Sequence, residues 1–149
     1  MKKIYLASGW FNPVQAEELT RLENIFDDRA EHFKLASPRR IFVCPPSAPK
    51  SVQDETFKGN LFHIEDSDFL VVNTRDKDIG TIWEAGYAYA MNVPIIYFCA
   101  GLPEGAKFNL MLARSGVKVC TSFEQLEEYL DRVVETGDLP LEPYDKQIE

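Results

Sequence analysis

The segment Asp78-Ile79-Gly80-Thr81-Ile82-Trp83-Glu84-Ala85-Gly86-Tyr87-Ala88 carries two carboxylates, Asp78 and Glu84, where a polar turn passes into a helix. Carboxylates near one strand end and one helix N-terminus can divide labour, one as a nucleophile and the other as a group that binds hydroxyls. A purely structural account competes for the same residues. Thr81 and Glu84 have the spacing of a capping box, in which the threonine hydroxyl takes one free backbone N–H and the glutamate returns to another. Gly86 and Ala88 thin the helix, although a glycine there costs about 1 kcal/mol relative to alanine, and such thinning suits close approach to a neighbour.

Two further places carry chemistry-bearing residues. In Ser8-Gly9-Trp10-Phe11-Asn12 a glycine permits a tight turn and two aromatics follow at once. Flat side chains at a strand end suit a nucleobase or sugar face, and they equally suit packing over the sheet edge. Asn109-Leu110-Met111 follows the Gly101-Leu102-Pro103-Glu104-Gly105 loop, where Asn109 has the character of a helix N-cap. His32 and His63 fall in helical segments and read as surface or satisfied residues. Paired Arg39 and Arg40 read as solvated surface. The Gly9 and Gly80 turns form neither a dinucleotide fingerprint nor a P-loop, so no cofactor is implied. No metal site is implied either, because Cys44, Cys99 and Cys120 stand far apart; all three read as buried thiols.

The elements that position these residues alternate between short β-rich runs and longer helical ones. Strands are expected at residues 3–8, 41–44, 68–73, 94–99 and 117–120. Helices are expected from Asn12-Pro13 to about 34, over 53–66 with Phe57, Leu61 and Ile64 on one face, over about 81–91, from Asn109, and over 122–136. Pro45-Pro46-Ser47-Ala48-Pro49 is an extended loop, and residues 139–149 are an extended arm. The expectation is an α/β fold: a flavodoxin-like, Rossmann-like five-stranded parallel sheet with helices on both faces. Ligands of such sheets bind beyond the carboxyl ends of the strands, where all three segments fall.

With 149 residues, one domain and one core are expected. Apolar residues make up 45% of the chain without forming a run of membrane-spanning length, and the start of the sequence has no secretory pattern, so a cytoplasmic protein is expected. Twenty-four acidic against sixteen basic residues give a net charge of −8, which repels phosphate backbones and disfavours nucleic-acid polymers as partners. A small neutral ligand meets no such barrier.

Together these segments resemble the nucleoside 2-deoxyribosyltransferase family. Ile4-Tyr5-Leu6-Ala7-Ser8-Gly9-Trp10-Phe11 looks like that family's first strand and aromatic turn, the 78–88 segment is similar to its signature, and Asn109-Leu110-Met111 is similar to its third element. The resemblance implies exchange of the nucleobase of a 2′-deoxyribonucleoside through a covalent glycosyl-enzyme, with hydrolysis as a side reaction. Its partners are deoxyribonucleosides and free nucleobases. It assigns Glu84 as nucleophile, Tyr5 as the residue that orients it, Asp78 and Asn109 as sugar contacts, and Phe11, with Gly9 and Met111, as lining of the pocket. Asn109 would reach a neighbouring subunit's site, which implies a homo-oligomer with shared active sites. Asn60 stands where the family places an aspartate near the base; its amide can hydrogen-bond a base edge but has no carboxylic proton. Two alternatives remain, a deoxynucleoside 5′-monophosphate N-glycosidase and a non-catalytic nucleotide-sensing module in which Thr81 and Glu84 only cap their helix.

Overall fold

A computed structural model describes all 149 residues. Five parallel strands, β1 (Lys2–Ala7), β2 (Phe33–Ala36), β3 (Phe69–Asn73), β4 (Ile95–Phe98) and β5 (Lys118–Cys120), lie in the order β2-β1-β3-β4-β5. This is the flavodoxin-like order expected from the alternating pattern.

Side chains alternate across the strands and build a core on each face. Ile4, Leu6, Phe69, Val71, Ile96 and Phe98 point to α1 (Pro13–Asp27) and α6 (Phe123–Thr136). Tyr5, Ala7, Leu70, Val72, Ile95 and Tyr97 point to the other face, covered by α3 (Lys50–Glu65), α4 (Ile79–Ala90) and α5 (Leu110–Ser115). The parity of β1 therefore decides which helix each residue meets: Tyr5 faces α4, and its neighbours Ile4 and Leu6 do not.

The second strand lies earlier than expected. Helix α1 stops at Asp27, and β2 is Phe33–Ala36, an edge strand with Tyr5 in register with Ala36. Only its first residue is buried, so it lacks the dense apolar run of a central strand. Residues 41–44, the β-rich run, form no strand. Pro38 instead starts a single helical turn, α2 (Pro38–Ile41), and Val43 and Cys44 project into solvent. Cys44 is thus exposed and Cys99 half-buried, and only Cys120 is a buried thiol, its pKa pushed up to about 12 chiefly by burial.

What holds the 37–41 segment is a buried acid. Glu23 on α1 takes a hydrogen bond from the Ser37 hydroxyl (2.7 Å) and salt bridges from Arg39 (2.7 Å) and Arg40 (3.1 Å). The paired arginines are anchors: Arg39 is half-buried against the expectation of solvated surface, and Arg40 stays exposed as expected while pairing with Glu23 and Asp27. Burial raises the Glu23 carboxyl, but the hydrogen bonds from Arg39 and Ser37, helped by the two arginine charges, outweigh it and hold the group below its usual range. Helix α3 also departs from expectation, since Ile64 alone is buried while Phe57 and Phe62 stand more than half exposed.

Candidate active site

Helix α4 begins one turn before the spacing of Thr81 and Glu84 suggests, and that shift determines what Glu84 does. Asp78 is the N-cap: its Oδ2 accepts from the Thr81 backbone N–H (3.0 Å) and from the Thr81 hydroxyl (2.7 Å). Thr81 is buried and occupied by that contact. The N–H groups without an intrahelical partner are those of the N-cap and the first three helical residues, here Asp78 to Thr81, and the Ile82 N–H already bonds the Asp78 carbonyl at 3.0 Å, so Glu84 lies beyond them and serves no cap. The capping box is absent.

Glu84 instead accepts a hydrogen bond from the Tyr5 hydroxyl on β1. Burial pushes the Glu84 carboxyl up to about 7; the Tyr5 bond opposes this, and the nearby Asp78 charge adds to it. Burial and the adjoining carboxylate drive the Tyr5 phenol far above its ordinary value, so it remains a donor. A carboxylate that titrates near neutrality in a cleft is a frequent property of reacting groups.

Gly9 closes this cluster from the end of β1. A methyl group placed there would stand 3.1 Å from the Asp78 carboxyl carbon and 2.8 Å from Gln15 Oε1. The absent side chain is what lets the first βα turn and the α4 cap approach each other. Gln15 is fixed in turn, because its Oε1 accepts from the Phe11 N–H at 2.9 Å and its amide donates to the Arg75 carbonyl at 3.4 Å. Gln15 is a site-building residue missing from the sequence reading, and Thr81, expected there as an N-cap, instead satisfies Asp78. Asn12-Pro13-Val14-Gln15 carries a capping signal that pointed to Gln15, and Asn12 does cap α1 through the Gln15 N–H at 2.9 Å.

Tyr5, Gly9, Asp78 and Glu84 thus come together at the carboxyl edge of the sheet. Phe11 lies beside them on the turn, 78% exposed and stacked on Trp10 with ring centroids 5.9 Å apart, rather than packed over the sheet edge. Asn60 is half-buried on α3, one turn beyond Phe57, which meets Trp83 of α4 at 5.8 Å. Its Oδ1 is buried without a hydrogen-bond partner, and it makes no direct bond to Tyr5, Asp78 or Glu84. Asn109 and Met111 are not brought to Glu84 within this chain. They line a separate cavity of about 490 Å³ with Ile79, Ile82, Cys99 and Phe108. Asn109 caps α5 through the Met111 and Leu112 N–H groups at 2.9 and 3.2 Å, as its sequence position suggested. No three His, Cys, Asp or Glu side chains are grouped where a metal ion would sit, and no helix is long and apolar enough to cross a membrane.

A doubly wound parallel sheet with two carboxylates, Asp78 and Glu84, gathered at its carboxyl edge places this chain among the flavodoxin-like α/β proteins. Within that class, a profile of the nucleoside 2-deoxyribosyltransferase family matches residues 4–136, and the chain belongs to that family. Among solved structures it is similar to a 2-deoxyribosyltransferase of the psychrotolerant bacterium Bacillus psychrosaccharolyticus, with 28% identity over 96% of this chain and 99% of the other and a TM-score of 0.79. Two more distant structures share the fold. A 2-deoxyribosyltransferase of Leishmania mexicana is 21% identical over 91% and 99% of the two chains, with a TM-score of 0.60. A CMP N-glycosidase of Clostridium botulinum is 14% identical over 87% and 99%, with a TM-score of 0.59. Comparison with curated protein sequences returns no match.

Proposed function

We propose that the protein exchanges the nucleobase of a 2′-deoxyribonucleoside, with Glu84 as the nucleophile. The observation that supports this most is the Glu84 carboxylate itself, free of its own helix's amides and held by Tyr5. As the bond from C1′ to the base nitrogen breaks, its electron pair leaves with the base and positive charge grows on the sugar. A carboxylate beneath C1′ stabilises that charge and closes a covalent bond to it. A nitrogen of the incoming base then attacks C1′ and expels Glu84. Two inversions restore the starting configuration, and water in place of the second base gives hydrolysis as the side reaction.

The remaining residues orient the substrate. Tyr5 holds one Glu84 oxygen and leaves the other for C1′. Asp78 spends Oδ2 on Thr81, and its second oxygen is open to a sugar hydroxyl. Gly9 gives the sugar room, and Phe11 offers an aromatic face. Asn60 reads a base edge through its amide, with no proton to give, so base departure draws its proton from elsewhere. Asn109 and Met111 serve the site of a second copy of the chain. The exposed apolar side chains Ile79 (85%), Met111 (73%), Phe62 (60%) and Trp83 (51%) support such an assembly.

The test is chromatography of deoxyribonucleosides incubated with free bases. New nucleosides are expected from the wild-type protein and none from Glu84→Ala; unchanged turnover in that variant removes the proposed nucleophile. Including 5′-monophosphates identifies an N-glycosidase by preferential release of base from the phosphorylated substrate. Binding without any released base identifies a sensing module.

A further inference from the structure

Asn109 stands on a segment that packs into the core through Phe108 and Ala113, yet whose backbone is held from outside by one neighbour alone. Residues 102–114 form local hydrogen bonds, and every hydrogen bond they make to a distant part of the chain goes to the arm at 139–149. Three main-chain bonds bracket Asn109: Phe108 N–H to the Gln147 carbonyl (3.0 Å), Glu149 N–H to the Phe108 carbonyl (2.9 Å) and Leu110 N–H to the Glu149 carbonyl (3.0 Å). They make a parallel bridge between Phe108 and Ile148. The Arg114 guanidinium adds a bond to the Tyr144 carbonyl at 2.5 Å, and the Tyr144 ring lies on Phe108 with centroids 5.3 Å apart.

The other end of the arm is fixed to the body of the protein. Glu142 N–H donates to the Val117 carbonyl at 2.8 Å, its carboxylate pairs with Lys118 at 3.0 Å and with Arg132, and the Tyr129 hydroxyl donates to the Pro140 carbonyl at 2.5 Å. Before Phe108 the chain is built to bend, since Gly101 and Gly105 have φ of 74° and 81° and open space around them. A loop of that kind retains conformational freedom unless something outside it sets its end.

We infer that residues 147–149 are positioning residues, a main-chain strap that sets where Asn109 stands when it completes a substrate site. This rests on the role proposed above for Asn109, and it adds a requirement carried by backbone groups far along the chain. Side-chain identity at 147–149 matters little to it; the presence of the Glu149 N–H and of the two carbonyls matters.

The test compares the full chain with a chain ending at Lys146 and with Glu149→Pro, which lacks the bridging N–H but keeps the length. Amide hydrogen exchange at Phe108 and Leu110 is expected to accelerate at least about tenfold in the shortened chain, since their partners are gone. Its kcat/KM is expected to fall about tenfold to a hundredfold, as displaced positioning groups typically cost. Glu149→Pro is expected to move both readings in the same direction by less, and it decides the matter if the shortened chain fails to fold. In an Asn109→Ala background, shortening is expected to change kcat/KM by no more than about twofold, because both changes act through one residue. Unchanged exchange at Phe108 and Leu110, accelerated exchange with wild-type kcat/KM, or losses that multiply in the double variant each overturn the strap. A full-length protein that exchanges no bases overturns the proposed function, and the exchange measurement alone then decides whether the arm fixes this segment.

Discussion

Replacing Tyr5 by phenylalanine removes one oxygen from the site and with it the donor that favours the ionised form of Glu84. A hydrogen bond to a charged group is worth about 1.5–3 kcal/mol, and about 1.4 kcal/mol moves a titration midpoint by one pH unit. The Glu84 midpoint, about 7 with Tyr5 in place, should therefore rise by about one to two pH units in Tyr5→Phe. At pH 7 the ionised fraction falls from about one half to between about a tenth and a hundredth, so base exchange slows about fivefold to fiftyfold. The assay is the pH dependence of kcat/KM for nucleobase exchange from pH 5 to 10. The wild-type rate should climb with pH through about 7, because only the deprotonated carboxylate attacks, and the variant should climb through about 8 to 9. A variant that loses rate while keeping the wild-type midpoint would refute the argument, since Tyr5 would then act on something other than the ionisation of Glu84.

The same carboxyl makes stability fall with pH. Its folded midpoint lies above its unfolded one, so its contribution is fully present below about pH 4.5 and is lost as pH rises through 7; Glu84→Gln should raise Tm at pH 8 by roughly 5–10 °C, from at most about 3 kcal/mol, and by much less at pH 4, as thermal melts will show. Gly9→Ala forces a methyl group against Gln15 and Asp78, so KM for the deoxyribonucleoside should rise about tenfold, and steady-state kinetics with unchanged KM would count against Asp78 as the sugar contact.

Four of the five strands were legible in the sequence, and with them the edge at which the chemistry-bearing residues gather. Tyr5, Gly9, Asp78 and Glu84 do converge at the carboxyl edge, because period-two alternation along a central strand is strictly enforced by burial on both faces. The second strand was misplaced because an edge position relaxes that requirement. Phe33–Ala36 pairs with β1 through its backbone and needs little apolar surface, whereas Ile41 and Val43 have the composition of a strand and no partner. The competition between capping and catalysis at Glu84 was not decidable from spacing, since Asp78 and Thr81 are both good caps and the choice depends on where the preceding turn delivers the chain. The pairing of Arg39 and Arg40 with Glu23 was missed because that partner lies sixteen and seventeen positions away, a separation that no local pattern reports.

Asp78 holds α4 with Oδ2 alone, and under the proposed function its other oxygen meets the sugar, so a ligand gripping that oxygen also steadies the opening turn of the helix. Linkage makes the effect mutual: a frayed helix start weakens the grip by the same factor. An alanine at this position would remove anchor and contact together, whereas an asparagine would keep an acceptor for the Thr81 amide and isolate what the negative charge does for the ligand.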